Sequence, residues 1–290
     1  VRLEKAFAAL IREDPIFRTC FRSGENGIRA YVLEQADFAL EELQAENFEE
    51  AVQVFLRPFR LDTAPLLRAA LWQSAAGLDY LFVDMHHIIG DGLSTPILLK
   101  RLDEAYHAGT APVEWDFYDC LCAPRTDAHS AEQGLKYWKT HLEKLPDPLT
   151  LPCDHPRPKQ FDFKGKEYEC LLSAEDSARC AAFCQKNGVS EFALFLSAFG
   201  ILLSSISGRE DFLIGAPAAG RLIPQSQNVC GPFINTLPLR LKPEGELTVG
   251  QWLSRIQEEI AGMLDHQQVS LESVIQALEL PRGSQNALYQ

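Results

Sequence analysis

No stretch of this chain approaches the roughly 18–20 uninterrupted apolar residues that a membrane-spanning helix requires. The opening Val1-Arg2-Leu3-Glu4-Lys5 also lacks the apolar centre of a signal peptide. Positive charge is scarce: 27 Lys and Arg stand against 40 Asp and Glu, a formal net charge of −13, and no Lys/Arg stripe is interleaved with aromatics. These absences argue against nucleic acid and membrane as partners, and a cytoplasmic location is expected. Compact cysteine spacing is missing as well. The eight cysteines, Cys20, Cys120, Cys122, Cys153, Cys170, Cys180, Cys184 and Cys230, are scattered, which fits reduced thiols better than a disulfide framework. Cys180 and Cys184 would share one helix face, but no second close pair completes a zinc set. Without an initial Met, and with no terminal signal at Tyr289-Gln290, the chain is expected to be truncated at both ends.

What remains, 290 residues at 46% hydrophobic content, is enough for two compact lobes. Apolar residues at Leu3, Phe7, Leu10 and Ile11 predict a helix that Pro15 ends. Strands are predicted around Ile16–Phe21 and Ile28–Leu33 and a helix over Phe48–Phe55, after which Leu66–Trp72 follows. A turn at Gly77 leads into a further strand, Leu81-Phe82-Val83, that ends at His86-His87. Helices follow from Leu93 to His107, with Pro96 in the first turn, and from Ala131 to Leu145. The proline-rich stretch from Leu145 to Pro158 breaks all periodicity and reads as an interlobe crossover. It divides the chain into lobes 1–155 and 156–290. In the second lobe a strand is predicted at Lys166–Leu172, helices at Ala174–Lys186 and Glu191–Ile206, the latter apolar enough to be buried, and strands at Phe212–Gly215 and Thr236–Leu241. Gly215–Arg221 reads as a loop of small residues, and helices over Val249–Leu264 and Leu271–Leu278 complete an α/β (α+β) chain.

The chemistry concentrates at His86-His87-Ile-Ile-Gly90-Asp91-Gly92, where two histidines precede a tight turn. Histidine is suited to proton movement near neutral pH. Side chains alternate along a strand, so the pair should diverge, one serving a cleft and the other orienting or structural. From the residues alone three readings of His87 stay open: a general base or positioning group, a metal ligand, or a buried histidine satisfied by backbone. Divergence of the pair and the lack of a third ligand nearby weaken the metal reading. Asp91 either orients His87 or pairs with a distant Arg. Ser94 is placed to cap the following helix, and no cysteine lies in an elbow or triad pattern, so direct transfer is favoured over a covalent relay.

With its flanks, that heptad resembles the HHxxxDG pattern of the condensation domain of nonribosomal peptide synthetases. Phe17-Arg-Thr-Cys-Phe21 is similar to the family's LRTxF element, and Phe59–Arg68 to its PFDLxxxPLxR segment. Tyr137-Trp138 with Leu151–Pro158 resembles its YW…LPxDxPRP crossover. Ile214–Arg221, Gly231–Arg240, His266-Gln267 and Ser284–Gln290 are similar to its GxPxAxR, GFFxNTLPLR, HQxxPFE and SxNPLFQ motifs. The order is the family's, over nearly the whole chain.

The resemblance implies two chloramphenicol acetyltransferase-like lobes in a V around a central tunnel. There an amine on an acceptor carrier protein would attack a thioester on a donor carrier protein. His87 would take the amine's proton or position the amine. Gly92 would let backbone approach the reacting centre, and Asp91 would pair with Arg221 as architecture, together with His86. Ser94 and Asn286 would border the tunnel. No metal and no cofactor of its own is implied: phosphopantetheine would arrive on the upstream and downstream carriers, beside adenylation or other synthetase domains. Departures are Glu13-Asp14 where the family has Arg-His, Gly231-Pro232-Phe233 for Gly-Phe-Phe, and Ala287 for Pro. The intact pair argues against the heterocyclising branch, in which aspartates replace the histidines. A CoA-dependent acyltransferase and a non-catalytic docking platform are the alternatives, although such platforms usually lose the second histidine.

Overall fold

The computed structural model describes residues 2–25, 27–109, 112–123, 128–155, 165–280 and 288. The chain is mixed α/β and divides into two units, Val1–Arg125 with Ala219–Ile234, and Thr126–Ala218 with Asn235–Gln290.

In the first unit, α1 (Arg2–Glu13) buries Ala6, Phe7, Leu10 and Ile11, the face its spacing predicts. Asp14 ends it and is fully buried. Its Oδ1 accepts from Ile16 N at 3.3 Å, capping the one-turn 3-10 helix Pro15–Arg18, and Oδ2 accepts from Arg101 at 2.6 Å. The departure from Arg-His at this point therefore has its own partner. Burial pushes the Asp14 carboxyl up from its ordinary value, against the lowering pull of Arg101. β1 (Thr19–Gly24) and β2 (Gly27–Val32) form an antiparallel hairpin. β3 (Glu41–Glu42) pairs in parallel with β4 (Leu67–Gln73), which pairs antiparallel with β5 (Asp79–Met85).

β4 carries the period of two expected of a strand with both faces covered. Leu67 and Ala69 enter the core formed with Phe7, Leu10, Ile16 and Leu98. Ala70 and Trp72 enter a second cluster with Leu43, Ala51 and Phe55, the last two from α2 (Phe48–Phe55). α3 (Ser94–Ala108) packs on α1, and α4 (Phe117–Cys122) starts in a capping box between Asp116 and Asp119.

The second unit contains α5 (Ala128–His141), α6 (Ala174–Asn187), α7 (Glu191–Ser207), the antiparallel pair β6 (Phe212–Ala218) and β7 (Asn235–Leu241), α8 (Val249–Asp265) and α9 (Leu271–Ala277). Trp138, Phe212, Leu237, Leu239, Trp252, Ile256 and Ile260 form its core. Ser173, Ser190, Thr248 and Ser270 cap four of the helices through their hydroxyl oxygens. Asn235 Nδ2 donates to Gln267 O at 2.9 Å and Val269 O at 2.8 Å, tying β7 to the turn between α8 and α9. Arg240 binds Asp211 through two bonds of 2.9 and 2.7 Å.

Four expectations are corrected. The division does not fall at 155/156: α5 sends Trp138 into the second core, with Leu142 and Leu149 following, and residues 219–234 return to the first unit. Residues 166–172 are not a strand. Tyr168 and Leu171 are 92% and 91% exposed, because alternation makes a strand only where a partner supplies hydrogen bonds and none pairs with them among the described residues. α7 is buried on one side only. Gly200 lies so near Leu241 and Trp252 that a Cβ would stand 3.2 and 3.3 Å from them, while Phe192, Phe195, Phe199, Leu202 and Ile206 line the exposed side. Residues 215–218 belong to β6 rather than a loop; a two-stranded pair leaves outer edges where the missing donor of Pro217 or Pro238 is tolerated. No single helix among the described residues is long and apolar enough to cross a membrane.

Phe7, fully buried and stacked on Phe38 at 5.0 Å, is expected to be a cornerstone of the first unit. Phe7→Ala should lower unfolding free energy by roughly 3–5 kcal/mol through lost burial and a cavity. Phe192→Ala on the exposed side of α7 should change it by about 0.5 kcal/mol or less. Denaturant titrations of the two variants measure the difference.

Candidate functional site

β5 ends at Met85, so the His pair lies beyond the strand, in a turn, and strand alternation is not what separates the two rings. They differ nevertheless. His86 is partly buried: its N donates to Leu66 O at 3.0 Å, its Nδ1 accepts from Ile88 N at 3.0 Å, and its ring meets Phe59 edge-on with centroids 5.9 Å apart. His87 is exposed, and no hydrogen bond among the described residues engages its imidazole. Of the three readings left open by the sequence, the histidine satisfied by neighbouring backbone describes His86, which is partly buried, and not His87. Among the described residues no three His, Cys, Asp or Glu stand close enough to hold a metal ion.

The turn bearing His87 rests on a clasp of buried polar groups, all within the first unit. Asp91 and Arg221 have side chains only 5% and 2% exposed and meet at 3.0 Å. Asp91 Oδ1 also accepts from Ser94 N at 2.9 Å and Ser94 Oγ at 2.8 Å, and Oδ2 accepts from Phe233 N at 3.1 Å. Arg221 Nη1 donates to the carbonyls of Ser226 and, at 2.6 Å, Val229. Its guanidinium carbon lies 4.4 Å from the centre of the Phe233 ring. Arg221 Nε, buried, has no hydrogen-bond partner among the described residues. Gly220, with φ of 64°, makes the left-handed turn that delivers Arg221, a conformation that favours glycine.

Ser94 is where expectation and structure part. The residue in the cap position of α3 is Leu93, with no side-chain bond, and Ser94 is the first helical residue. Its hydroxyl turns inward, where it is fully buried, accepts from Gly231 N at 3.0 Å, and lies 3.0 Å from Gly231 O and 2.8 Å from Asp91 Oδ1. It acts as a pin between the His loop and the returning segment rather than as an open lining group. Gly231 is needed there, since a Cβ would run into the Phe117 ring. Phe117 in turn meets Phe233 edge-on at 5.1 Å.

Cys230 completes the wall. Its Sγ lies 3.6 Å from Ser94 O, and burial, with the charge of Asp14 adding, pushes the thiol up to about 12, so it stays protonated and donates. Gly92 lies in the open: a Cβ would meet nothing within 4 Å, so packing inside this unit does not demand glycine. The structure thus brings Asp91, Ser94 and Arg221 into one network, holds His86 separately through Leu66 and Ile88, and leaves His87 and Gly92 exposed, while Asn286 lies outside the described residues. Local spacing missed Ser94, Phe233 and Cys230 as partners of the clasp; only the Gly231–Phe233 motif signalled that this segment mattered.

The arrangement can present one free imidazole and one open stretch of backbone on a fixed base. A family model described as the condensation domain matches residues 1–290. Gramicidin S synthase 2 of Brevibacillus brevis is 33% identical over 294 residues, covering 99% of this chain and 7% of that protein. Bacitracin synthase 1 of Bacillus licheniformis is 31% identical over 297 residues, 99% of this chain and 6% of that protein. The chain therefore spans a small part of these relatives. Among solved structures, the four-domain nonribosomal peptide synthetase holo-AB3403 bound to AMP and glycine has a TM-score of 0.85 at 23% identity, over 98% of this chain and 22% of that one. The X-domain from teicoplanin biosynthesis has a TM-score of 0.84 at 23% identity, over 100% of this chain and 68% of that one.

Two outcomes follow from the clasp. Arg221→Ala would leave the Asp91 carboxylate buried and unpaired and should destabilise the protein by roughly 3–5 kcal/mol, whereas the double variant Arg221→Met with Asp91→Leu should recover much of that loss in denaturant unfolding. Peptide mapping after brief iodoacetamide treatment should find the exposed Cys122, Cys153 and Cys170 labelled in native protein and Cys230 labelled only after denaturation. Native labelling of Cys230 would contradict its assignment as a buried neutral thiol.

Proposed function

The chain belongs to the condensation-domain family, and from that premise we propose that it is the condensation domain of a nonribosomal peptide synthetase, forming an amide bond between carrier-bound substrates. The carrying observation is the division within the His pair, one ring consumed by the fold and the other left free on a fixed turn.

In the proposed reaction the acceptor's amine nitrogen attacks the carbonyl carbon of the donor thioester. The new C–N bond pushes an electron pair onto the carbonyl oxygen, and collapse of that tetrahedral species breaks the C–S bond. The phosphopantetheine sulfur leaves with the electron pair and receives the proton that the amine gives up. His87 serves this sequence in one of two ways, by accepting the amine's proton and passing it on or by holding the amine in line. Gly92, exposed and without a side chain, leaves its backbone N–H open to the developing oxyanion, where a donor stabilises the transition state more than the planar thioester. Neither step draws on a nucleophilic side chain, and the neutral thiol of Cys230 agrees with that.

The partners of this reading are an upstream donor carrier and a downstream acceptor carrier, with adenylation or other synthetase domains beside them in a cytoplasmic polypeptide. Phosphopantetheine comes with the carriers, and the domain binds no cofactor itself. The large synthetases among the relatives support that context.

In the full-length synthetase, His87→Ala should lower product formation by roughly 10²–10⁴-fold while both carriers still load. As an exposed residue, His87 should change unfolding free energy by only about 0.5 kcal/mol on replacement. Single-turnover assays with loaded carriers read the loss. Near-normal turnover would remove His87 from the chemistry and favour a docking platform, and robust transfer from free CoA thioesters would favour a CoA-dependent acyltransferase.

A further inference from the structure

The turn after β5 is closed twice. Main chain closes it once, with Ile89 N donating to His86 O at 3.0 Å. The second closure is made by a side chain, with Ile88 N donating to His86 Nδ1 at 3.0 Å. A backbone N–H only donates, so Nδ1 holds no proton and the ring's single hydrogen is on Nε2. His87 is the residue enclosed between the two ends of this side-chain bridge.

The ring that makes the bridge is itself held. His86 N donates to Leu66 O at 3.0 Å, which fixes the start of the turn to the neighbouring chain. The Phe59 ring stands against the imidazole at an interplanar angle of 84°, and the face of Phe59 carries the guanidinium of Arg68 at 3.8 Å. Arg68 is in turn paired with Asp84 at 2.8 Å. A side-chain acceptor that takes the N–H two residues on is the device of an Asx turn, supplied elsewhere by Asp or Asn. Here an imidazole nitrogen supplies it.

We infer that His86 is a positioning residue for the proposed reaction: its unprotonated Nδ1 closes the turn that aims His87. The inference rests on the reading of His87 as the reacting imidazole, and goes beyond it by giving the first histidine one atom and one task. The heptad's two histidines then work in different states, one as a fixed neutral acceptor and the other as a free ring.

Two polar variants of the full-length synthetase test this without removing the side chain. Asn places its Oδ1 where Nδ1 stands, whereas the Oε1 of Gln falls nearer the position of Nε2. His86→Asn should retain slow hydrogen exchange at the Ile88 amide and most of the turnover. His86→Gln should expose that amide to exchange and lower kcat roughly 10²-fold with KM for the loaded acceptor carrier little changed, the loss associated with a displacement of about 1 Å. Wild-type exchange and wild-type kcat in His86→Gln would overturn the inference. So would His86→Asn that protects Ile88 yet loses kcat as deeply as Gln, since the ring would then act in the chemistry. A wild-type synthetase that makes no amide would overturn the functional reading and the positioning role with it, while the exchange pattern would separately decide the geometry of the turn.

Discussion

Burying a carboxylate and a guanidinium together is the constraint on which the first unit depends. Each charge loses strong hydration on leaving water, and their attraction repays that loss only if the remaining donors and acceptors are also satisfied. Asp91 meets the condition with Arg221, both donors of Ser94 and the amide of Phe233. Arg221 meets most of it with two carbonyls, the carboxylate and the face of Phe233. Apart from Asp91 and Ser94, every member of this clasp comes from residues 219–234, so that segment cannot remain with the strands on either side of it. The ion pair thus explains why the chain leaves the second unit after β6 and rejoins it at β7.

From that base the local geometry of the heptad follows. Gly90 packs against the Met85 and Ser94 side chains, Asp91 points inward to the clasp, and Ser94 pins the first turn of α3. At the other end His86 is stitched to Leu66 and Ile88. Between two such anchors the residues left without internal obligations are His87 and Gly92. A group that must meet a substrate with little rearrangement gains from this, because the ordering is done by folding rather than at the moment of reaction.

Much of this was legible in the sequence, and what was not has physical reasons. The helix face of Phe7, Leu10 and Ile11 and the apolar strand run Leu81-Phe82-Val83 are local patterns, and they fold as read. Asp91 and Arg221 are 130 residues apart, and only resemblance to a family could join them. From its neighbours Ser94 reads as a cap, but its decisive partner, Gly231, lies 137 residues away. The proline run after Leu145 marks a loss of periodicity truly enough. Periodicity, however, does not say which core a helix joins, and Trp138 and Leu142 place α5 with the second. The alternation of 166–172 failed for a related reason, since a strand needs a partner that its own sequence does not name.

On the proposed reading, stability and reactivity separate along the heptad, and this changes what its intactness means. Asp91, Ser94 and Arg221 serve the folding of this unit, so a relative that only docks other proteins would be expected to keep them. Their presence carries no information about catalysis. His87 stands the other way: exposed and unbonded among the described residues, it contributes little that folding would miss. A side chain that the fold does not need is the one position where imidazole calls for a chemical explanation. Catalysis at this heptad would therefore fall to one exposed ring, while the clasp serves only to hold its turn still.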